Sequence, residues 1–254
     1  MNFINILGVN INTFTKKQAL VKIGEFLNDG KQHFIITPNP EIILAADKDK
    51  EFFNILNQAD LALADGVGLK IAAWLMGVNF QRITGADLLK DILALAEAQN
   101  RRVVVFNRQD GLSSALDIRK VLADKYPGLQ VLAVDIGREA VIGEEKLAPV
   151  KEFQPEIIFC ALGAPYQEKF IYQNLPRLSS AKLAMGIGGS FDFLTGRIKR
   201  APKIFRIIGL EWLWRLIFHK GKNKIDRLNR WKRIYNAVIV FPYKFLLWRF
   251  IFKK

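Results

Sequence analysis

Cysteine is nearly absent from this chain of 254 residues, Cys160 being the only one. That excludes a disulfide framework and a cysteine-based zinc cluster. Histidine is almost as scarce: His33 and His219 lie far apart and leave little for a histidine metal site. No internal repeat, low-complexity segment or long linker occurs before residue 195. The opening Met1-Asn2-Phe3-Ile4-Asn5 has no basic stretch followed by an apolar one, so no signal peptide is expected and the chain reads as residing in a reducing cytoplasm. A G-x-S-x-G elbow is missing, and with it the signal of a hydrolase nucleophile.

What is present is strongly segregated. The formal net charge is +14, but 17 of the 38 Lys and Arg and only Glu211 and Asp226 of the 24 acidic residues fall in 195–254. Four of the five tryptophans (Trp212, Trp214, Trp231, Trp248) lie there too. The chain therefore divides into a near-neutral body, 1–194, and a basic, aromatic, apolar appendage, 195–254. Such asymmetry points to a nucleic acid or an anionic membrane surface.

In the body, apolar β-branched runs alternate with segments of helical period. Strands are expected at Phe3–Val9, His33–Thr37, Leu61–Asp65, Arg102–Asn107, Gln130–Val134, Ile157–Leu162 and Lys182–Ile187. Helices are expected near 15–28, 40–58, 66–76, 86–99, 111–125, 143–153 and 166–175. Several strand runs are apolar throughout, as when helices cover both faces. The pattern predicts an α/β fold with a mostly parallel, Rossmann-like sheet, right-handed crossovers and a basic helical C-terminal appendage.

Ligands in such folds bind beyond the carboxyl ends of the strands, so the residues ending each strand matter most. One ends Thr37-Pro38-Asn39-Pro40-Glu41, where Asn39 suits an N-cap and Pro40 the first helical turn. The next ends Ala64-Asp65-Gly66-Val67-Gly68, where Asp65 either caps the following helix or does chemistry. Two glycine turns follow later strands, Leu162-Gly163-Ala164-Pro165 and Gly186-Ile187-Gly188-Gly189. Glycines allow backbone amides to approach phosphate, but neither turn is a P-loop and the second lacks the last glycine of a dinucleotide fingerprint. Asp47-Lys48-Asp49 superficially matches the D-x-D metal–nucleotide motif of many glycosyltransferases, yet falls in the middle of an expected charged helix and reads as a solvated face. Cys160 reads as core packing and His33 as structural.

Together these segments resemble the WecG/TagA/CpsF family of bacterial glycosyltransferases. The match continues through Arg82-Ile83-Thr84-Gly85-Ala86-Asp87, Gln167-Glu168-Lys169, Ser190-Phe191-Asp192, Gly196, Arg200-Ala201-Pro202 and Gly209-Leu210-Glu211-Trp212-Leu213-Trp214-Arg215-Leu216. Order and spacing cover roughly residues 30 to 235. The resemblance implies an inverting, metal-independent transfer of a hexosamine, N-acetylmannosamine in the TagA branch, from a UDP-sugar to polyprenyl-diphosphate-linked N-acetylglucosamine. No cofactor is implied. By the same resemblance Asp65 is the general base and Thr37 orients the sugar or the base. Asn39, Arg82 and Gln167 form polar walls, and Gly163, Gly186, Gly188 and Asp192 contact the nucleotide. In the tail, Arg215, Arg227 and Arg230 would close over a diphosphate. The proline that the family usually carries before the paired arginines is replaced here by His219-Lys220-Gly221-Lys222-Asn223-Lys224.

Apolar residues at 225, 228, 231, 235, 238 and 239 recur at helical spacing, with Arg227, Arg230 and Arg233 on a separate stripe. Pro242, Lys244 and Arg249 interrupt Ala237–Phe252, which favours an interfacial segment over a spanning one. The expected place is the cytoplasmic face of the membrane, peripherally bound, with a homo-oligomer left open. Two other readings stand beside this one. A nucleic-acid-binding protein would use the basic tail, but the tail is as dense in Ile, Leu and Val as in cations. A dinucleotide-dependent oxidoreductase would need the missing fingerprint.

Overall fold

The computed structural model describes residues 3–202, 204–205, 213–214 and 231–252. Six parallel strands form one sheet in the order β4-β3-β8-β7-β5-β6. They are β3 (His33–Ile36), β4 (Leu61–Ala62), β5 (Val103–Arg108), β6 (Val131–Ile136), β7 (Ile157–Ala161) and β8 (Leu183–Gly186). The α/β expectation holds, and the central strands are apolar along their whole length for the expected reason: β5 is buried from Val103 to Asn107 and β7 from Ile157 to Cys160, covered on both sides.

Alternate residues divide between two apolar layers. Ile35, Val103, Val105, Ile157, Phe159, Leu183 and Met185 pack in one layer with α1 (Lys16–Phe26), α5 (Gly85–Ala98) and α6 (Ala115–Lys125). Ile36, Val104, Phe106, Ile158, Cys160 and Ala184 pack in the other with α2 (Pro40–Ala46), α3 (Lys50–Asn57), α4 (Val67–Leu75), α7 (Glu144–Phe153) and α8 (Tyr166–Asn174). Cys160 is fully buried there. Its thiol is pushed far above the ordinary range by burial, which makes it inert packing as expected. His33 is structural as well, stacked on Phe26 with centroids 3.8 Å apart and its Nε2 2.8 Å from Asp29.

Three local expectations need correction. The run Phe3–Val9 is not one sheet strand but the start of a separate hairpin, β1 (Phe3–Ile6) with β2 (Val9–Asn12). Leu7 and Gly8 both take positive φ (51° and 85°), the combination of a type I′ turn. Leu7 hid this because leucine seldom adopts such a φ. The hairpin is tied to the main sheet by Asn12, whose Oδ1 accepts from Ala62 N at 2.8 Å. The expected helix 40–58 is two helices, since Asp49 caps α3 by accepting from Phe52 N at 3.0 Å. Asp47-Lys48-Asp49 is thus a junction between helices, not the middle of one.

The C-terminal chain forms α10, Trp231–Ile251, continuous through Pro242. Proline lacks an N–H and its ring crowds the carbonyl four residues back. The backbone accommodates it by widening to π geometry over Asn236–Val240, the turn that precedes Phe241 and the proline. The interruption expected from Pro242 is therefore absorbed, and α10 is long and apolar enough to cross a membrane by length and composition. Phe241 and Phe245, each 1% exposed, bury one face of it in the same layer as α2 and α4. Phe245→Ala should cost about 3–5 kcal/mol of the stability of the unit containing α10. Denaturant unfolding, with protease susceptibility of the C-terminal chain, measures it.

Candidate active site

All six sheet strands point the same way, so their carboxyl ends share one edge, and there a cleft of about 870 Å³ opens. Its wall takes Thr37 and Asn39 after β3, Asp65 after β4, Asn107 and Arg108 of β5, Gly163 after β7, and the stretch 186–193 from β8 into α9 (Ser190–Leu194). Tyr166 and Gln167 of α8, Thr84 and Gly85 at the start of α5, and Arg138 line it as well. Arg233 and Asn236 of α10 line the same cleft.

Asp65 is half-buried, its backbone N–H donating to Pro38 O at 2.8 Å. The N–H of Gly85, first residue of α5, donates to Asp65 Oδ2 at 3.3 Å. A helix start therefore stabilises this carboxylate. Asp65 does not serve as the side-chain cap of α4, whose N-cap is Gly66, so the plain capping alternative fails. Thr37 stands beside the same helix start: a Cβ on Gly85 would meet Thr37 Oγ1 at 2.9 Å. Glycine is what lets α5 approach Thr37 and Asp65 so closely. Thr84 caps α5, and Arg200 clamps this cap by donating to Asp87 Oδ1 at 2.7 Å and to Thr84 Oγ1 at 3.3 Å.

Gln167 does more than line a wall. Its Oε1 accepts from Gly188 N at 2.8 Å and from Gly163 N at 3.2 Å, bracing the two glycine turns against each other. A Cβ on Gly186 would stand 2.5 Å from Gln167 Nε2, so that glycine makes room for the brace. The amide is oriented by Glu168, whose Oε1 accepts from Gln167 Nε2 at 2.7 Å. Glu168 is 2% exposed and its Oε2 has no partner. Burial pushes its carboxyl up to about 7. The expectation that Gln167 is a polar wall contact is thus corrected in part: its carbonyl is committed to the protein's own turns.

Asp192 lies in the cleft with its Oδ1 accepting from Ser113 Oγ at 2.7 Å. Asn39 lines the cleft while its Oδ1 caps α2 by accepting from Ile42 N at 3.0 Å, which leaves its NH₂ for a ligand. Eight of the expected residues (Thr37, Asn39, Asp65, Gly163, Gln167, Gly186, Gly188 and Asp192) are brought together. Arg82 is not in the cleft wall; it stands in the loop ahead of α5, half-buried. Arg215, Arg227 and Arg230 lie outside the described residues.

Three cations were not singled out as cleft residues beforehand. Arg108 ends β5, with its Nε 2.7 Å from Asp110 Oδ1. Arg138 lies over the Tyr166 ring, 5.2 Å from its centroid. Arg233 pairs with Glu41 at 2.7 Å. The signal for Arg108 was its place at a strand end; Arg138 sits in a loop with nothing local to mark it. Asp47 and Asp49, by contrast, are engaged with Lys244 and Lys169 respectively.

The chain matches the model of the Glycosyl transferase WecG/TagA/CpsF family over residues 4–254. It belongs to that family. Among curated relatives, the N-acetylglucosaminyldiphosphoundecaprenol N-acetyl-beta-D-mannosaminyltransferase of Bacillus subtilis is 32% identical over 203 residues, 79% of this chain and 74% of the relative. The protein of the same name from Staphylococcus aureus is 30% identical over 250 residues, 95% of this chain and 91% of the relative. That of Bacillus spizizenii is 33% identical over 211 residues, 82% and 77% of the two chains. The protein is a glycosyltransferase, as the ordered motifs implied, and the nucleic-acid and dinucleotide readings find no support.

Glu168 makes a stability prediction. Its carboxyl holds a proton more tightly folded than unfolded, so the associated stability is complete below pH 4.5 and lost as pH rises toward 7. Urea unfolding at pH 5 and pH 8 should show the parent losing on the order of 1–3 kcal/mol more than Glu168→Gln over that interval.

Proposed function

We propose that this glycosyltransferase moves N-acetylmannosamine from a UDP-sugar to a polyprenyl-diphosphate-linked N-acetylglucosamine, inverting the anomeric centre, at the cytoplasmic face of the membrane. The acceptor and the β-linked product are those in the names of the relatives. A β product from an α-linked nucleotide sugar requires displacement from the opposite face in one step. The acceptor oxygen bonds to the anomeric carbon, the bond from that carbon to the diphosphate oxygen breaks, and its electron pair leaves with the UDP. The acceptor's proton goes to a base.

The observation that carries this reading is Asp65 at the cleft floor, held by Gly85 N–H beside Thr37. That donor orients the carboxylate beside Thr37, and in this reading the carboxylate takes the acceptor proton. Thr37 orients the same hydroxyl. The departing diphosphate needs charge, and Arg108, Arg138 and Arg233 of the cleft wall supply it, beside the two glycine turns that Gln167 holds in place. Neutralisation in this reading runs through arginines and not through a metal on Asp47 and Asp49, whose carboxylates already hold lysines. The appendage anchors the protein to anionic lipid and completes the site, Arg215, Arg227 and Arg230 adding to Arg233.

Asp65→Asn keeps the shape and removes the basicity, so kcat should fall about 10²–10⁴-fold while UDP affinity and melting temperature stay near the parent's. Radiolabelled sugar transfer to a short-chain polyprenyl-diphosphate acceptor reads the first, calorimetry the others. Comparable kcat in the two proteins would remove Asp65 from the base role.

Arg233→Ala separates catalysis from anchoring. On a water-soluble acceptor, without vesicles, kcat should fall about tenfold or more, a loss of about 1.4 kcal/mol of transition-state stabilisation. The same outcome is expected for Arg227→Ala and Arg230→Ala. Weaker vesicle binding with unchanged kcat would make these arginines lipid contacts alone.

A further inference from the structure

Helix α4 starts two residues after Asp65 and carries an outward face that no part of the described body covers. Its Leu69, Ala72 and Ala73 are buried in the core, whereas Ile71, Trp74 and Leu75 are 53%, 69% and 42% exposed. Exposed Trp and Ile side by side on one short helix are unusual for a surface that meets only water. The face is also not isolated. A Cβ on Gly68 would touch Phe241 of α10 at 3.7 Å, so α10 lies along the Gly68 side of α4. At 100° per residue, Leu75, Ile71 and Trp74 fan outward from that side in sequence. On α10 itself Tyr235, Ile239, Tyr243, Leu246 and Phe250 are exposed at spacings of four, four, three and four, opposite the buried Phe241 and Phe245. The two helices present adjoining apolar faces.

Their charge is of one sign. Neither α4 nor the span 231–251 contains a single Asp or Glu; Arg233 and Lys244 are taken by Glu41 and Asp47 of the body, and Lys70, Lys232 and Arg249 punctuate the rest. Aromatic and aliphatic groups ringed by cations fit one surface chemistry, the interface of an anionic bilayer, where each nearby cation adds about 1 kcal/mol. A second copy of the chain would set these cations against their own kind.

We infer that α4 is a lipid-contacting element of the catalytic body itself, seating the Asp65 end of the cleft on the membrane surface alongside α10. This rests on the membrane reading given above and goes beyond it, because that reading needs only the appendage. The arrangement lets a lipid-linked acceptor reach Asp65 along α4 without leaving the interface.

The test uses the full chain and vesicles of phosphatidylglycerol with phosphatidylethanolamine. Native Cys160 is buried, so Trp74→Cys accepts a polarity-sensitive fluorophore at one place. Its emission should shift to the blue on adding anionic vesicles, while the same dye on Lys125→Cys of α6 should not respond. Ile71→Ser with Trp74→Ser should weaken vesicle partitioning at least tenfold, with melting temperature and turnover of a soluble acceptor unchanged. If the parent binds these vesicles but the α4 variant binds as tightly and the probe stays unshifted, α4 is not a lipid contact and the appendage acts alone. If the parent itself fails to bind, the membrane reading falls and the inference with it. A blue shift without vesicles that rises with protein concentration, matched by a doubled mass, would assign the face to a second copy and overturn the proposal.

Discussion

A parallel ladder forces every strand to end on the same edge of the sheet, and the chemistry of this protein is built from what that edge collects. Residues as far apart as Thr37, Asp65, Asn107, Gly163 and Asp192 meet because each follows or ends a strand in that ladder. The ladder persists because both faces are dry: Val103 to Phe106 and Ile157 to Cys160 alternate between two apolar layers with almost no exposure. β4 is only two residues long, and it is held by the Ile35–Leu61 and Ile36–Ala62 pairing and by Asn12 from the hairpin. Asp65 thus depends for its position on a side chain more than fifty residues earlier. The site inherits its precision from the sheet, with loops supplying only the last few ångströms.

The brace at Gln167 shows a cost accepted for that precision. Two glycine turns with backbone amides aimed at one place have no reason of their own to stay there. Gln167 holds both with one oxygen, and Glu168 holds Gln167. The arrangement leaves Glu168 Oε2 buried without a partner. An apolar residue at 168 would remove that burden but free the amide to turn its NH₂ toward the glycine N–H groups, where two donors would face each other. A buried acid near its titration point at neutral pH is destabilising, and it is retained here beside the cleft.

Fold and site were legible from sequence to different depths. The parallel sheet could be read because wholly buried strands are apolar throughout and the helices between them keep a 3.6-residue period. Asp65 and Thr37 could be read because strand ends have known consequences in such sheets. The hairpin at Leu7–Gly8 and the break at Asp49 could not, since each depends on a local hydrogen bond or backbone angle that competes with a perfectly good periodic pattern. Arg138 was hidden for a different reason: it reaches the cleft through the tertiary placement of a loop over Tyr166. Gln167 was found, but its role was not, because which neighbour an amide oxygen accepts from is a matter of distances. Arg82 was suggested by resemblance alone, and its place ahead of α5 puts it outside the wall.

Composition located the positive charge of the tail but could not give it direction. Counting cations and aromatics in 195–254 left a membrane and a nucleic acid both open, because a count is the same whichever way the side chains point. In three dimensions α10 has distinct faces. Arg233 and Asn236 belong to the cleft, Phe241 and Phe245 to the body, and Tyr235, Ile239, Tyr243, Leu246 and Phe250 to the outside. Phosphate contacts to a nucleic acid would want cations on the outward face, yet that stripe is apolar while Arg233 turns to Glu41 and Lys244 to Asp47. An apolar outer face on a helix that also carries Lys232 and Arg249 is what an interface of hydrocarbon and anionic headgroups favours. Because the same rigid helix carries Arg233, its seating against the body at Phe241 and Phe245 also sets how far that guanidinium reaches into the cleft.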